Sequence, residues 1–321
     1  MHQPSDRWQL GLALSLFTVI LWGSLPVAIK GLLASMDVNT IIWYRMLVST
    51  ALVGGYYAIK GGYQWRKMAQ PKLGIPMLVA VIGLCGNYFL WVRGLDLSSP
   101  EAAQLVIQVA PMLLLLASVW LYKEAFRGWQ KIGVAIFTLG LLLFFNHRLA
   151  SLFGGGDSGE GDSQYNLGVV IVFISALSWT IYALAQKQLL KEFGSQEVLL
   201  TIYIAGAIIF FPLAKPEQLL ELNRTELYCL IFASINTALS YGAFAMAMEH
   251  WQASRVSATI TIVPLTSLFF VHLAAWLMPD MIQAEALNWL SWLGAFMVVA
   301  GSMTSALVRP KQQPIASVEA K

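Results

Sequence analysis

Stretches of about 20 apolar residues, each closed off by charged residues, glycine or proline, recur ten times along the chain. They fall at about 9–29, 39–59, 73–92, 102–121, 130–146, 167–186, 197–214, 227–248, 255–277 and 287–308. The hydrocarbon core of a bilayer takes about 20 residues of α-helix, so the pattern predicts an all-α polytopic membrane protein with ten transmembrane helices. The long polar interruption is His147–Asn166, where Gly154, Gly155, Gly156, Gly159 and Gly161 stand among Asp157, Glu160 and Asp162. That composition predicts a flexible linker over 147–166. It divides the chain into five spans at 9–146 and five at 167–308, with short ends at 1–8 and 309–321.

The two halves repeat one another. At an offset of 153, Tyr88 falls on Tyr241, Asp96 on Glu249, Ile107 on Ile260, Pro111 on Pro264 and Leu115 on Leu268. At 157, Trp22, Ala28, Lys30, Leu32 and Leu33 fall on Trp179, Ala185, Lys187, Leu189 and Leu190; at 161, Gly133 and Gly140 fall on Gly294 and Gly301. Five spans per repeat force the second copy to enter the membrane upside down, so two inverted five-helix repeats are expected. Pro111 and Pro264 interrupt the fourth and ninth spans. A proline there cannot donate a backbone hydrogen bond and frees the carbonyl four residues earlier, here Ile107 and Ile260. Such a break is tolerated where neighbouring helices or a wet cavity re-satisfy the backbone, and the expectation is a shared feature at the bilayer midplane, near a cavity floor.

Composition agrees with the pattern. The chain is 58% hydrophobic and 12% charged, with mean hydropathy +0.65, against roughly 25% charged residues in soluble domains. A net charge of +3, with basic residues scattered through the loops, gives no reason to expect nucleic acid as a partner. The expected partners are a small-molecule solute and the lipid bilayer. Cys85 and Cys229 lie inside predicted spans and read as buried thiols rather than a disulfide or metal ligands. The first apolar run, Trp8 to Ile29, is too long for a signal-peptide core and is kept as the first helix. With the N-terminus inside, inner segments hold 14 Lys and Arg against five in outer segments. By the positive-inside rule both termini are expected in the cytoplasm of a bacterial inner-membrane protein.

The candidate chemistry is polar, aromatic and almost uncharged. Arg45 is the Lys or Arg that lies well inside a span; a charge there is expensive and usually faces the bundle interior or water. It reads as a ligand for an anionic group, such as a carboxylate, or as part of an outer gate. The alternative is an arginine near the outer end that snorkels to the headgroups. Trp22, followed by Gly23 and Pro26, and its repeat partner Trp179, followed by Tyr182, are candidates to line a cavity or simply to pack helices. Asn87, Tyr88, Gln104, Gln108, Asn236, Ser240, Tyr241, Thr259 and Thr261 supply donors and acceptors near the two prolines. They suit a neutral or zwitterionic solute, or serve singly as interhelical hydrogen bonds.

Several activities lack their signatures. The middle of each span is free of Asp and Glu, which argues against proton coupling through a buried carboxylate, and His272 reads as structural. The phosphate-cradling loop of an ATP-driven pump is missing, and so is a nucleophile with a partnered base. A non-enzyme with no cofactor and no metal is expected.

Two five-helix repeats, Trp22-Gly23 in the first helix, Arg45 in the second, Pro111 in the fourth and Glu124 thirteen residues later resemble the EamA family of the drug/metabolite transporter superfamily. The resemblance covers roughly residues 10–308. It implies a ten-helix carrier with a central cavity between the repeats, commonly exporting amino acids or other small metabolites. Trp22, Arg45, Pro111, Glu124, Trp179 and Pro264 are the positions that match. The second repeat departs from the first: Ile202 stands where Arg45 would fall, and Leu277 where Glu124 would fall, with Asp280 nearby. The segment after the ninth span is also about eight residues longer than its counterpart. The expected function is secondary transport of a small polar or amphipathic metabolite by alternating access, with a substrate site at Trp22, Arg45, Asn87, Tyr88, Gln104, Gln108, Trp179, Tyr182, Asn236 and Tyr241. Pro26, Pro111, Pro264 and Glu124 are the expected helix-break and gating positions. The alternatives are a nucleotide-sugar-like or vitamin transporter, or a membrane sensor or scaffold that binds without translocating.

Overall fold

The computed structural model describes residues 7–64, 70–122, 126, 128–153 and 160–307, which are helical with no strand among them. In chain order the helices are α1 Trp8–Leu32, α2 Val38–Lys60, α3 Pro71–Leu97, α4 Pro100–Val106, α5 Val109–Tyr122, α6 Gly128–Phe144, α7 Asn146–Phe153, α8 Glu160–Leu189, α9 Ser195–Phe210, α10 Arg224–His250, α11 Ala253–Ile260, α12 Val263–Leu277 and α13 Trp289–Leu307. Among the described residues eight stretches are long and apolar enough to cross a membrane: α1, most of α3, α4 with α5, α8, α9, α10, α11 with α12, and α13. The apolar α6 has 17 residues. The 23-residue α2 is less hydropathic because Asn39, Thr40, Arg45, Ser49 and Thr50 interrupt its apolar run. Large side chains such as Ile59, Ile75, Ile208 and Trp276 are between 68% and 92% exposed. Lipid rather than water is the solvent for such a surface.

The helices pair between the two halves, and each pairing has a counterpart. α3 runs along α8 and α1 along α10; α6 runs along α13 and α2 along α9. Gly94 meets Gly168 and Gly83 meets Ser178, so α3 and α8 are antiparallel; Gly11 meets Trp251 and Leu21 meets Asn236, so α1 and α10 are antiparallel. Adding 157 to Gly11 and Gly94 gives Gly168 and Trp251, so one crossing maps onto the other. At the crossing of α6 and α13, Gly133 faces Gly301 and Gly140 faces Gly294, again antiparallel. The approach is so close that a methyl built on Gly294 would lie 2.5 Å from the Gly140 carbonyl oxygen.

Lys30 fixes which ends lie together. Its ammonium donates to the carbonyls of Leu95 (3.0 Å), Asp96 (3.0 Å) and Ser98 (2.9 Å), closing the C-terminus of α3. These carbonyls have no partner within the helix, and a lysine is a good one. The last turns of α1 and α3 therefore share one end of the bundle, the Lys30 end. Gly11 and Trp251 mark the other, about 30 Å away along α1 at 1.5 Å per residue.

Both proline-containing spans are broken, but not as the pattern suggests. α4 ends at Val106 and α5 starts at Val109; α11 ends at Ile260 and α12 starts at Val263. The Ile107 carbonyl is not left free, because it accepts from the Ala110 amide at 3.0 Å in a tighter turn. The prolines also differ in environment: Pro264 is buried, whereas Pro111 is exposed. A matched pair of freed carbonyls flooring one cavity is not what the helices form. Part of the expected linker is helical as well, since α7 and the first turn of α8 lie within it; residues 154–159 are outside the described residues.

Candidate functional site

Four helices meet at Arg45. Asp37 caps α2 by accepting from the Asn39 and Thr40 amides at 3.0 and 3.1 Å, which fixes where the helix starts. Arg45, two turns further on, is 2% exposed. Its Nε donates to Thr237 Oγ1 on α10 at 3.1 Å, and its guanidinium carbon lies 4.8 Å from the ring centroid of Tyr88 on α3. Tyr203 on α9 donates its hydroxyl to the Thr237 carbonyl at 3.3 Å and braces the same point. Nη1 is buried without a hydrogen-bond partner, and the titratable side chains near the guanidinium, among the described residues, are Tyr88, Tyr241 and Tyr203. The snorkelling alternative does not hold, because this side chain is sealed inside the bundle. A cation over a tyrosine face gains about 0.5–2 kcal/mol. That is well below the several kcal/mol effective penalty for removing an ion from water.

An aromatic group continues from this charge. Tyr241 lies beside Tyr88 and beside the Trp179 indole. Trp22 meets the Tyr241 ring edge-on at 5.5 Å and Phe244 at 5.7 Å; Trp179 lies 6.4 Å from Tyr182. Trp22, Arg45, Tyr88, Trp179, Tyr182 and Tyr241 thus form one connected group, with a cation at one end and two indoles at the other.

The remaining expected residues lie elsewhere. The Asn87 amide donates to the Ser175 carbonyl at 3.1 Å and its hydroxyl at 2.8 Å, joining α3 to α8. The Asn236 amide donates to the Leu21 carbonyl at 2.7 Å, joining α10 to α1. Gln104 is buried on α4 and Gln108 at the α4–α5 break. Pro26 is buried inside a continuous α1, and Glu124 lies outside the described residues. We expect Asn87→Ala to lower stability by about 0.6–1.7 kcal/mol, the range of interhelical hydrogen bonds in membranes, and to leave solute affinity within twofold; thermal unfolding with and without solute checks both.

Thr237 and Tyr203 were not evident as site residues. The signal for them is positional: Thr237 follows Asn236, and Tyr203 follows Ile202, the repeat counterpart of Arg45. A cavity of 430 Å³ opens at the Trp251 end of the bundle, lined by Trp251, Arg255, Ala258, Thr259 and Met303 among others. It does not reach the residues around Arg45, so the cavity and the charge mark different levels of the bundle. Among the described residues no group of three or more His, Cys, Asp or Glu is placed to hold a metal ion.

Comparison with known proteins follows the same architecture. The chain is 40% identical over 299 residues to the Uncharacterized inner membrane transporter YhbE of Escherichia coli (strain K12), covering 93% of this chain and 91% of that protein. It is 37% identical over 298 residues to an Uncharacterized transporter of Haemophilus influenzae, covering 93% and 95%. A solved crystal structure superposes with a TM-score of 0.62 at 16% identity, covering 92% of this chain and 96% of the other, which extends the likeness to the fold. The family model described as "EamA-like transporter family" matches residues 9–146 and 166–307. Matched along nearly its whole length, the chain belongs to the EamA-like transporter family, as a multi-pass membrane protein.

Proposed function

We propose that this transporter carries a small amphipathic solute with an anionic group, an amino acid or a close relative, and exports it by alternating access. The observation that carries the reading is Arg45: a guanidinium sealed in the bundle, with Nη1 unpartnered and no carboxylate beside it among the described residues. A solute carboxylate would supply the missing acceptor through a charge-assisted hydrogen bond. Trp22, Trp179 and Tyr182 would take the apolar part, in reach of the hydroxyls of Tyr88 and Tyr241.

The same reading assigns ten spans, adding α2 and α6 to the eight long apolar stretches, arranged as two inverted repeats with both termini in the cytoplasm. Support for inversion comes from the antiparallel course of α6 and α13, which are counterparts in the repeat. Further support comes from the way the α1–α10 and α3–α8 crossings exchange when the halves are exchanged. Under this orientation the 430 Å³ cavity opens to the cytoplasm and the Lys30 end faces outward.

The test is thermal stabilisation of the purified protein in lipid nanodiscs by a panel of amino acids, the amines that match them without the carboxylate, vitamins and nucleotide sugars. A ligand at 100 times its Kd stabilises by about 2.7 kcal/mol. We expect stabilisation by a carboxylate-bearing solute and none by its amine. Stabilisation by both alike, or by nucleotide sugars alone, contradicts the reading.

A further inference from the structure

The Lys30 end of the bundle holds a carboxylate for which transport by Arg45 has no use. Glu101, on the first turn of α4, is 0% exposed. Its Oε1 accepts the Glu285 amide at 2.9 Å, while its Oε2 is buried with no hydrogen-bond partner. Absence of acids from the middle of the spans argues against proton coupling, but Glu101 sits at the edge of one and is enclosed all the same. The connection between α12 and α13, which is about eight residues longer than its counterpart in the first repeat, reaches it through the Glu285 amide. Glu285 anchors this connection on two sides. Its carboxylate accepts from Ser99 Oγ at 2.6 Å and from the Tyr165 hydroxyl, on α8, at 3.0 and 3.1 Å.

We propose that Glu101 is a proton-binding site, and that its proton and the closed position of the α12–α13 connection go together. The buried Oε2 has no hydrogen-bond donor, and a proton on the carboxyl group would remove the need for one. The groups facing it from the surrounding elements are Glu285 in the α12–α13 connection, His272 on α12 and Lys30 on α1, with Asp96 at the end of α3 beside Lys30. Tyr165 on α8 faces Glu285 and lies under the guanidinium of Arg148, which pairs with Asp162. When the connection closes, the Glu101 carboxylate takes a proton from hydronium and releases water. When it opens, water solvates the group and the proton leaves. Such a proton-linked mouth gives a carrier a route to couple solute movement to a pH gradient. That use rests on the transport reading, whereas proton binding itself does not, so the two can fail separately.

The experiment is difference infrared spectroscopy of the full-length protein in nanodiscs, titrated between about pH 4 and pH 9. Wild type should show a carboxylic-acid carbonyl band that titrates, is lost in Glu101→Gln, persists in Glu285→Gln and persists with a moved midpoint in Glu101→Asp. Deuterium uptake by residues 278–288 gives a second readout. At the alkaline end of the titration it should be at least threefold slower in Glu101→Gln, which imitates the protonated acid, than in wild type. A band unchanged in Glu101→Gln, a band lost only in Glu285→Gln, or equal uptake in wild type and Glu101→Gln overturns the proposal. A band that follows sodium concentration at fixed pH would also overturn it, assigning the site to a metal cation instead.

Discussion

Arg45→Met should weaken solute-dependent stabilisation sharply while raising the unfolding midpoint of the empty protein. The two effects have opposite signs for one reason. In the empty protein the guanidinium is buried with one hydrogen bond to Thr237, a tyrosine face and an unpartnered Nη1. Replacing buried ionic groups by well-packed apolar side chains is often stabilising by about 1–4 kcal/mol. With solute bound, the same charge meets a carboxylate, and truncating one partner of a buried charged pair costs about 2–5 kcal/mol. At 1.4 kcal/mol per factor of ten, that is a loss of affinity of about 30-fold to several thousandfold. Arg45→Lys should fall between, because an ammonium keeps the charge but loses the planar fork that holds a carboxylate through two parallel bonds. An arginine kept for stability alone would behave in the opposite way: Arg45→Met would lower the midpoint of the empty protein.

The second large effect is expected where α6 crosses α13. A methyl on Gly294 would lie 2.4 Å from the Phe144 amide nitrogen, and one on Gly301 would lie 2.5 Å from the Phe137 amide nitrogen. These neighbours are backbone atoms and cannot turn aside as a side chain could. Overpacking typically costs about 1–3 kcal/mol and sometimes more, so Gly294→Ala should lower stability by that amount and Gly294→Val should prevent recovery of folded protein. Gly74 on α3 has nothing within 4 Å of its added methyl. Gly74→Ala should be neutral or stabilising by up to about 1 kcal/mol, since alanine is the better helix former. Yield of monodisperse protein and thermal midpoints in one detergent compare the three variants.

Much of this architecture is written in the sequence because a bilayer leaves few choices. Backbone groups must be satisfied within the span, so apolar length alone announces the helices. The offset of 161 sets Gly133 on Gly294 and Gly140 on Gly301, but that alignment does not tell that Gly133 packs against Gly301 and Gly140 against Gly294. The connected group at the centre was legible at Trp22, Arg45, Tyr88, Trp179, Tyr182 and Tyr241, because a charge or an indole deep in a span stands out against leucine. What could not be read was the partner each polar side chain would choose. Asn87 and Tyr88 are neighbours in sequence, yet helix geometry turns one toward Ser175 on α8 and the other toward Arg45. The proline pair looked symmetric, but equal spacing does not give equal surroundings, and Pro111 is exposed where Pro264 is buried. Buried Glu101 takes its hydrogen bond from Glu285, more than 180 residues further along, and nothing in the local pattern of α4 could announce it.

The most direct test of alternating access places one reporter at each end of the bundle. With Cys85 and Cys229 replaced by alanine, single cysteines are introduced at Ala258, which lines the cavity at the Trp251 end, and at Ala284, beside Glu285 on the α12–α13 connection. Labelling by a membrane-impermeant thiol reagent is then followed from each side of oriented vesicles, with and without the solute that stabilises the protein. Alternating access predicts reciprocal changes: solute should lower labelling at Ala258→Cys and raise it at Ala284→Cys, or the reverse, with the direction inverted when the solute is on the other side. Labelling at one end alone, unaltered by any solute that binds, would contradict it and leave a membrane protein that binds without transporting.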